Sequence, residues 1–525
     1  MADQIRCQIS MKLKGKPYAL LADESRDVSG HEQMSLVLRV IDDEKIKASN
    51  HFIEEYLLGL IGLCSFDALS LAGAIVDMLK TYDIDLNLCI AFASVIAGKN
   101  AGVQAILRER FMPKALYIHC HVHRLNLVVA DVCVSISYVS EFYSIVKKIH
   151  NYFTASCVTN KYFRDAQTEL KLSKKTQWYD LNYFSFLAHT NLKLWADIHC
   201  DSRWTSIDAI LKNYEVIILA FNNLIDDGGA RADDAKGLLV VVREPMFVVT
   251  LFILHKLLGP IKILSDKLKA KVLDYGKAQQ LITSVIEELN VSRDQKSFEQ
   301  LFETIIDFCQ KNNINLKDKP KEHRKRTVSI RFKDSVISST IGQRDDNQNE
   351  EYYRTYIYYQ LIENILVELK DRFSSKNLNI LLSISSLCPD SDMFLHFESL
   401  RPFAEHLHFD VGILFNELAV VKPMLKNKSM ITVIDLYQEL YPLKEAFQIL
   451  VALIECAMTI PVSSTTCERT FSRMKLIKTT VRNTMTADRL SDLCLLAVER
   501  DIDVNFEQLI DKFSDIHKNS RIMLK

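Results

Sequence analysis

Strand-forming signals in this 525-residue sequence are confined to residues 18–120, and from 136 to 460 the apolar pattern is helical almost throughout. Amphipathic helices are read over 135–152, 216–224, 244–258, 275–289, 297–310, 352–373 and 415–421. With only 14 glycines and 10 prolines, the chain favours long helices over a many-turned β fold. Its length implies two or three domains, and 48% hydrophobic with 25% charged residues is a globular composition. A net charge of −1 excludes a general polycation, so any nucleic acid must be met by a local basic surface. Twelve cysteines without a regular framework, and no signal peptide, fit free thiols in a reducing compartment. No uninterrupted apolar run of ~18 residues occurs, so no membrane span and no membrane partner are expected.

The first part alternates. Met1–Gly15 is polar and amphipathic without a clear period. Tyr18–Asp23 reads as a buried strand ending in a polar turn, Met34–Ile41 as a second strand, and Lys45–Ile53 as a third. Helices over 65–82 and 99–111 then alternate with strands over 88–93 and 115–120. Three consecutive strands followed by α/β alternation is the order of a ribonuclease-H-like domain, although other α/β mixtures share that pattern. His119, Cys120, His121 and His123 crowd into five residues. Structural zinc wants two separated ligand pairs, and no second pair follows at a suitable distance.

Near the C-terminal end, the apolar run Ile449–Ile460 is broken by Pro461 and a Ser/Thr cluster. Thr465 and Glu468 have the spacing of a capping box, which predicts a helix start. Cys467, Phe471, Met474, Ile477 and Val481 then form one apolar stripe. A second short helix carries Leu490, Leu493, Cys494 and Ala497 on one face, with Thr486 as its cap. A stripe this apolar must pack on its own core, on a partner chain, or on both.

These residues carry a resemblance. Ser463-x-x-x-Cys-Glu-Arg-x-Phe-Ser472, then Lys478-x-x-x-Arg-Asn-x-Met485 and Arg489-Leu-Ser-x-Leu493, resemble the C-terminal dimerisation region of hAT-superfamily DNA transposases. Leu21-Ala-Asp-Glu-Ser25 is similar to the first catalytic strand of that group. Gly98-Lys-Asn-x-Gly-Val-Gln104 and Tyr117–Asn126 also resemble it, and the chain as a whole is similar to zinc finger MYM-type proteins of transposase origin. The resemblance implies an α+β fold: a ribonuclease-H-like core of three antiparallel strands followed by α/β units, interrupted by a large all-α insertion. The expected domains are 1–135 for the first part of the core, 136–440 for the insertion, and 441–525 for the return to the core with the dimerisation region. Family members usually carry an N-terminal zinc-binding DNA-recognition finger. None precedes Tyr18, so a truncated chain is expected.

In this family strand transfer uses two Mg²⁺ ions ~4 Å apart, held by carboxylates from two strands and one helix. The resemblance makes Asp23 the first acid and Glu468 the last, so the two should approach each other within about 15 Å. The second acid is missing: alignment places Ala91 at its position, and Asp83 and Asp85 precede the strand at its wrong end. The expected state is a vestigial site, with Mg²⁺ or Mn²⁺ at Asp23 and Glu468 only if the site is active. DNA contacts are expected at His123, at Arg203 and Trp204 (in Asp201-Ser-Arg-Trp204, similar to a motif of the family's insertion), and at Lys325 and Arg326. The last two lie in a basic and polar loop over 312–351, which would equally serve nuclear targeting or simple solvation. Phe471, Met474, Ile477, Leu490 and Leu493 are the expected dimer contacts. The leading reading is a nuclear, domesticated or degenerate transposase-like protein, without catalysis, that self-associates and binds DNA. Two others stay open: an active metal-dependent transposase or nuclease completed by an acid from elsewhere, and a protein-interaction scaffold with no nucleic-acid role.

Overall fold

The computed structural model describes residues 1–46, 52–94, 102–175, 192, 200–270, 275–316, 349–373 and 378–516. The chain falls into two compact units: one comprises 1–124, 266–282 and 374–525, and the other 125–265 and 283–373.

The first unit is built on a mixed five-stranded sheet in the order β3-β2-β1-β4-β5. Its strands are β1 (Tyr18–Arg26), β2 (Glu32–Ile41), β3 (Ile53–Gly62), β4 (Cys89–Ser94) and β5 (Leu116–His119). β1 runs antiparallel to β2, with Asp23 opposite Ser35, and parallel to β4, with Ala22 opposite Ser94. β2 and β3 are antiparallel, and β4 and β5 are parallel. Tyr18 to Ala22 are buried without alternation, as expected of a central strand covered on both faces. The N-terminal stretch is a helix, Ala2–Leu13, whose Ile5, Ile9 and Leu13 recur at helical spacing in the core.

The third strand lies later than the sequence reading placed it. Asp42 accepts hydrogen bonds from Lys12 (2.8 Å) and the Tyr56 hydroxyl (3.2 Å), and Asp43–Ile46 forms one helical turn. The apolar run that follows, Ile53–Gly62, then supplies β3. β3 is an edge strand whose outward backbone groups are taken up by side chains. The Leu57 amide donates to Glu499 (2.7 Å) and the Leu60 amide to Ser491 Oγ (2.9 Å), while Arg6 Nε donates to the Leu58 carbonyl (3.0 Å). An edge covered in this way cannot template pairing with another chain. Gly59 permits the close approach, because a Cβ there would lie 2.8 Å from Ser491 Oγ and 2.6 Å from Met78 Cε.

Residues 378–440, expected in the insertion, belong to the sheet unit. One cause is Glu417 on the helix Val411–Leu425, which is buried and accepts from the Ile449 (3.1 Å) and Leu450 (2.7 Å) amides. It thereby caps the start of the helix Gln448–Thr459 with a charge that suits the helix dipole. The His406 ring also meets the Lys114 carbonyl at 3.0 Å, and the Phe52 and Tyr437 rings pack 5.4 Å apart.

Every described element of the second unit is helical, around a core that includes stacked Phe153 and Phe221. The helix Pro245–Leu268 is long and apolar enough to cross a membrane, which the sequence reading did not expect. Its Val248, Leu251, Leu254 and Leu257 are buried within the chain, as in the core helix of a globular unit. Tyr353–Tyr359 forms a stretch of π-helix, with Tyr353, Ile357 and Tyr358 inward.

Candidate functional site

Asp23 stands where β1 leaves the core: Tyr18–Ala22 are fully buried, whereas Asp23, Glu24 and Ser25 are partly exposed. Its carboxylate accepts the Glu24 amide at 2.8 Å. Burial is the main force raising the Asp23 carboxyl from 3.8 to about 7, and the negative charges of Glu468 and Glu24 add to it against the pull of the Glu24 amide. Glu468 therefore lies within electrostatic reach of Asp23, although 445 positions (468 − 23) separate them in sequence.

Glu468 is delivered by the helix Thr465–Ile477. The predicted capping box is absent: the N-cap is Ser464, without a side-chain bond, and Thr465 Oγ1 donates to Ser463 Oγ at 3.0 Å. This releases Glu468 from the backbone role that its spacing suggested. Cys467, Thr470, Phe471 and Met474 of the same helix are buried. Burial first, then the Asp23 charge, pushes the Cys467 thiol well up, so this side chain also borders Asp23.

Three further ties hold the helix. At its start, the His121 amide donates to the Val462 carbonyl (3.1 Å), and the Ser464 amide to Cys120 Sγ (3.3 Å). On its inner face, Thr466 Oγ1 donates to Glu55, which pairs with Arg39 at 2.8 Å; both side chains are buried, and Arg39 Nη2 also donates to the Met458 carbonyl (3.0 Å). At its end, buried Lys478 pairs with buried Asp27 at 2.6 Å. The sequence reading missed both ion pairs. The signal for one was present, namely an arginine inside the apolar strand Met34–Ile41.

The crowded histidines divide. His121 is buried edge-on to Tyr275, 5.1 Å between ring centres, and burial holds it neutral by lowering it to about 3. His123 stacks on His119 at 5.5 Å and is partly exposed.

Several expected site residues are placed differently. Ala91 pairs with Ala19 in mid-sheet, four positions before Asp23, and Ser94, the last described residue of β4, pairs with Ala22. Ala91 is therefore not level with Asp23 in the sheet. From Leu86 to Arg108 the sequence contains no carboxylate. Arg203 is buried, donating to the Val129 carbonyl (2.7 Å) with its guanidinium over the Tyr143 ring. It is thus a packing residue and cannot reach a surface phosphate. Trp204 donates to the His255 carbonyl (3.1 Å) and stacks on the His255 ring. Lys325 and Arg326 lie outside the described residues, as do Gly98 and Lys99 and most of 171–199. Of the dimer residues, Phe471, Met474 and Leu490 are buried within the chain's own fold, so they are core here. Ile477 and Leu493 are partly exposed, while Leu476 (71%) and Val481 (95%) are open.

Two carboxylates converge, one of them holding a proton near neutrality, and among the described residues no three His, Cys, Asp or Glu side chains group as metal ligands. The raised Asp23 pKa has a consequence for stability. A folded value near 7 against an ordinary 3.8 means that the folded chain keeps a proton which the unfolded chain releases between about pH 4 and 7. The associated stability is complete below about pH 4 and lost as pH rises through 7. Asp23→Asn is expected to stabilise the chain by about 1–3 kcal/mol at pH 8, with the gain shrinking progressively below pH 7, in thermal denaturation across that range.

Comparison with known proteins agrees at both ends. Residues 1–89 match a family described as the ZMYM1/FAM200 RNase-like domain, and residues 422–502 match the hAT family C-terminal dimerisation region. The chain is 22% identical, over 95% of its length, to the human protein named 52 kDa repressor of the inhibitor of the protein kinase. It is 23% identical, over 96% of its length, to the mouse protein of the same name. It spans 64% of the length of each. The chain thus carries an RNase-like match at its start and a match to the hAT dimerisation region near its end, and the two bring Asp23 and Glu468 within electrostatic reach of each other.

Proposed function

We propose that this chain is a degenerate hAT transposase that has kept self-association and DNA binding and has lost strand cleavage, acting in the nucleus. The observation that supports the reading is that Glu468, on its helix, lies within electrostatic reach of Asp23 on β1, while the neighbouring strand β4 and the residues after it up to Arg108 carry no acid. Two carboxylates, one partly protonated, do not fix two Mg²⁺ ions at ordinary ionic strength. The relatives' name, that of a repressor, fits a regulatory role for the retained scaffold.

Self-association is supported by the match over 422–502 and by apolar side chains that are open at Leu476 and Val481 and partly exposed at Ile477 and Leu493. Core and contact residues should therefore separate by experiment. Leu493→Asp places a charge in a contact surface and is expected to convert a dimer to monomer in light scattering, with helix content kept. Leu490→Asp places a charge in a closed core and is expected to unfold the chain, at a cost of several kcal/mol. A wild-type chain that stays monomeric at tens of micromolar would contradict self-association.

A further inference from the structure

One tract of the surface departs from the chain's balanced charge. From Arg469 to Ala487 the sequence contains no acidic residue and five basic ones. Lys478 is buried against Asp27 and so is neutralised. Arg469, Arg473, Lys475 and Arg482 are exposed, and among the described residues none of the four pairs with a carboxylate. Arg469 donates only to the Lys269 carbonyl (3.2 Å), a neutral acceptor that leaves its charge uncancelled. Several exposed cations elsewhere are paired with acids, as in Lys45–Glu54, Arg401–Glu405 and Arg26–Glu32.

We propose that Arg469, Arg473, Lys475 and Arg482 form a tract that binds the phosphate backbone of duplex DNA. This rests on the DNA-binding reading above and gives that reading a surface. The tract begins one residue after Glu468, so bound DNA would run from the Asp23–Glu468 end of the sheet along the helix. Arg469 and Arg473 are four residues apart and share a helix face. That face lines an open cleft of about 710 Å³. Glu54, Glu55, Glu499, Asp501 and Asp503 also line this cleft and would repel a phosphate, so a backbone is expected along the exposed arginine face and not deep in the cleft. Length argues for a polyanion: residues 469–477 alone span about 12 Å at 1.5 Å per residue. A small anion would engage only one or two of these charges, whereas an extended polyanion can follow Arg469 and Arg473 along the helix and reach the charges beyond. Uncancelled guanidinium and ammonium groups in series are what a sequence-independent phosphate contact requires.

The test uses the full chain and a fluorescein-labelled duplex of random sequence, with Kd measured by anisotropy over a series of KCl concentrations. The triple variant Arg473→Ala/Lys475→Ala/Arg482→Ala is compared with Lys148→Ala/Lys161→Ala/Lys236→Ala, which removes the same charge from exposed positions elsewhere. The tract variant is expected to raise Kd at least about tenfold at low salt and to flatten the log Kd against log[KCl] slope by about 2–3. The control should keep the wild-type slope, and both should keep the wild-type mass in light scattering. The proposal is overturned if the tract variant keeps the wild-type slope, or if the control loses as much. It is also overturned if the tract variant loses binding only by becoming monomeric, which would make the tract a contact between copies of this chain. If the wild-type chain binds no duplex even at low salt, the DNA-binding reading itself fails, and the tract with it.

Discussion

Arg39→Met is expected to destabilise the sheet unit by about 3–5 kcal/mol, read as a lowered urea midpoint with an unchanged slope. Arg39 sits inside β2 with its side chain 4% exposed, and its partner Glu55 on β3 is 5% exposed. Its guanidinium also supplies donors to the Met458 carbonyl, at the end of the helix that leads to Pro461. Glu55 in turn accepts from Thr466, the second residue of the Glu468 helix. Methionine fills most of the volume but leaves the Glu55 charge buried without its counter-ion. That uncompensated charge is the large term, since an intact buried pair gains little over apolar residues of the same size. The double variant Arg39→Met/Glu55→Met should therefore recover much of the loss. A double variant as unstable as the single one would show that the network matters by its geometry and not by its charge balance.

Asp27→Ala is expected to cost a similar amount, about 3–5 kcal/mol, by stranding Lys478 in the interior. Burial alone would raise the Asp27 carboxyl, but the Lys478 ammonium and the His31 and Ser29 amides hold it below its ordinary value of 3.8. The sign follows: the stabilisation is present above about pH 4 and is lost as pH falls through the lowered folded value. The wild type and Asp27→Ala should thus differ most near neutrality and converge in acid. The pair joins the turn after β1 to the end of the Glu468 helix, so its loss frees the helix from the strand that carries Asp23. Lys478→Met should be milder, because Asp27 keeps its amide partners and can take up a proton. If Asp27→Ala matches the wild type in urea at pH 7, the latch contributes nothing.

Much of this was legible in the sequence, for reasons that can be named. Asp23 ends a run too apolar to be anything but a central strand, and the Cys467-Glu-Arg stretch begins a helix with a strong period. β3 was misplaced because its boundary depends on Asp42, whose partners Lys12 and Tyr56 come from elsewhere in the chain. The capping box failed by one residue, since the Thr465 hydroxyl turns to Ser463. Helical periodicity over 378–440 reports a buried face without saying which core receives it, and Glu417 settles that through two amides far along the chain. The stripe Phe471, Met474, Ile477, Leu490 and Leu493 has the same ambiguity. An apolar period cannot tell a protein's own core from a partner's; Phe471, Met474 and Leu490 are buried in this chain's own core, whereas Ile477 and Leu493 stay partly exposed. Arg203 and Trp204 matched a motif, but the motif's arginine is spent on a backbone carbonyl.

The most direct test of the central claim is metal-dependent nicking. Supercoiled plasmid is incubated with the full chain in Mg²⁺ and, separately, in Mn²⁺, beside the Asp23→Ala variant. Without an acid between Leu86 and Arg108, the wild type is expected to nick no faster than Asp23→Ala in either metal. Nicking that requires the metal, and that Asp23→Ala abolishes, would contradict the account and restore the chain to the active transposases.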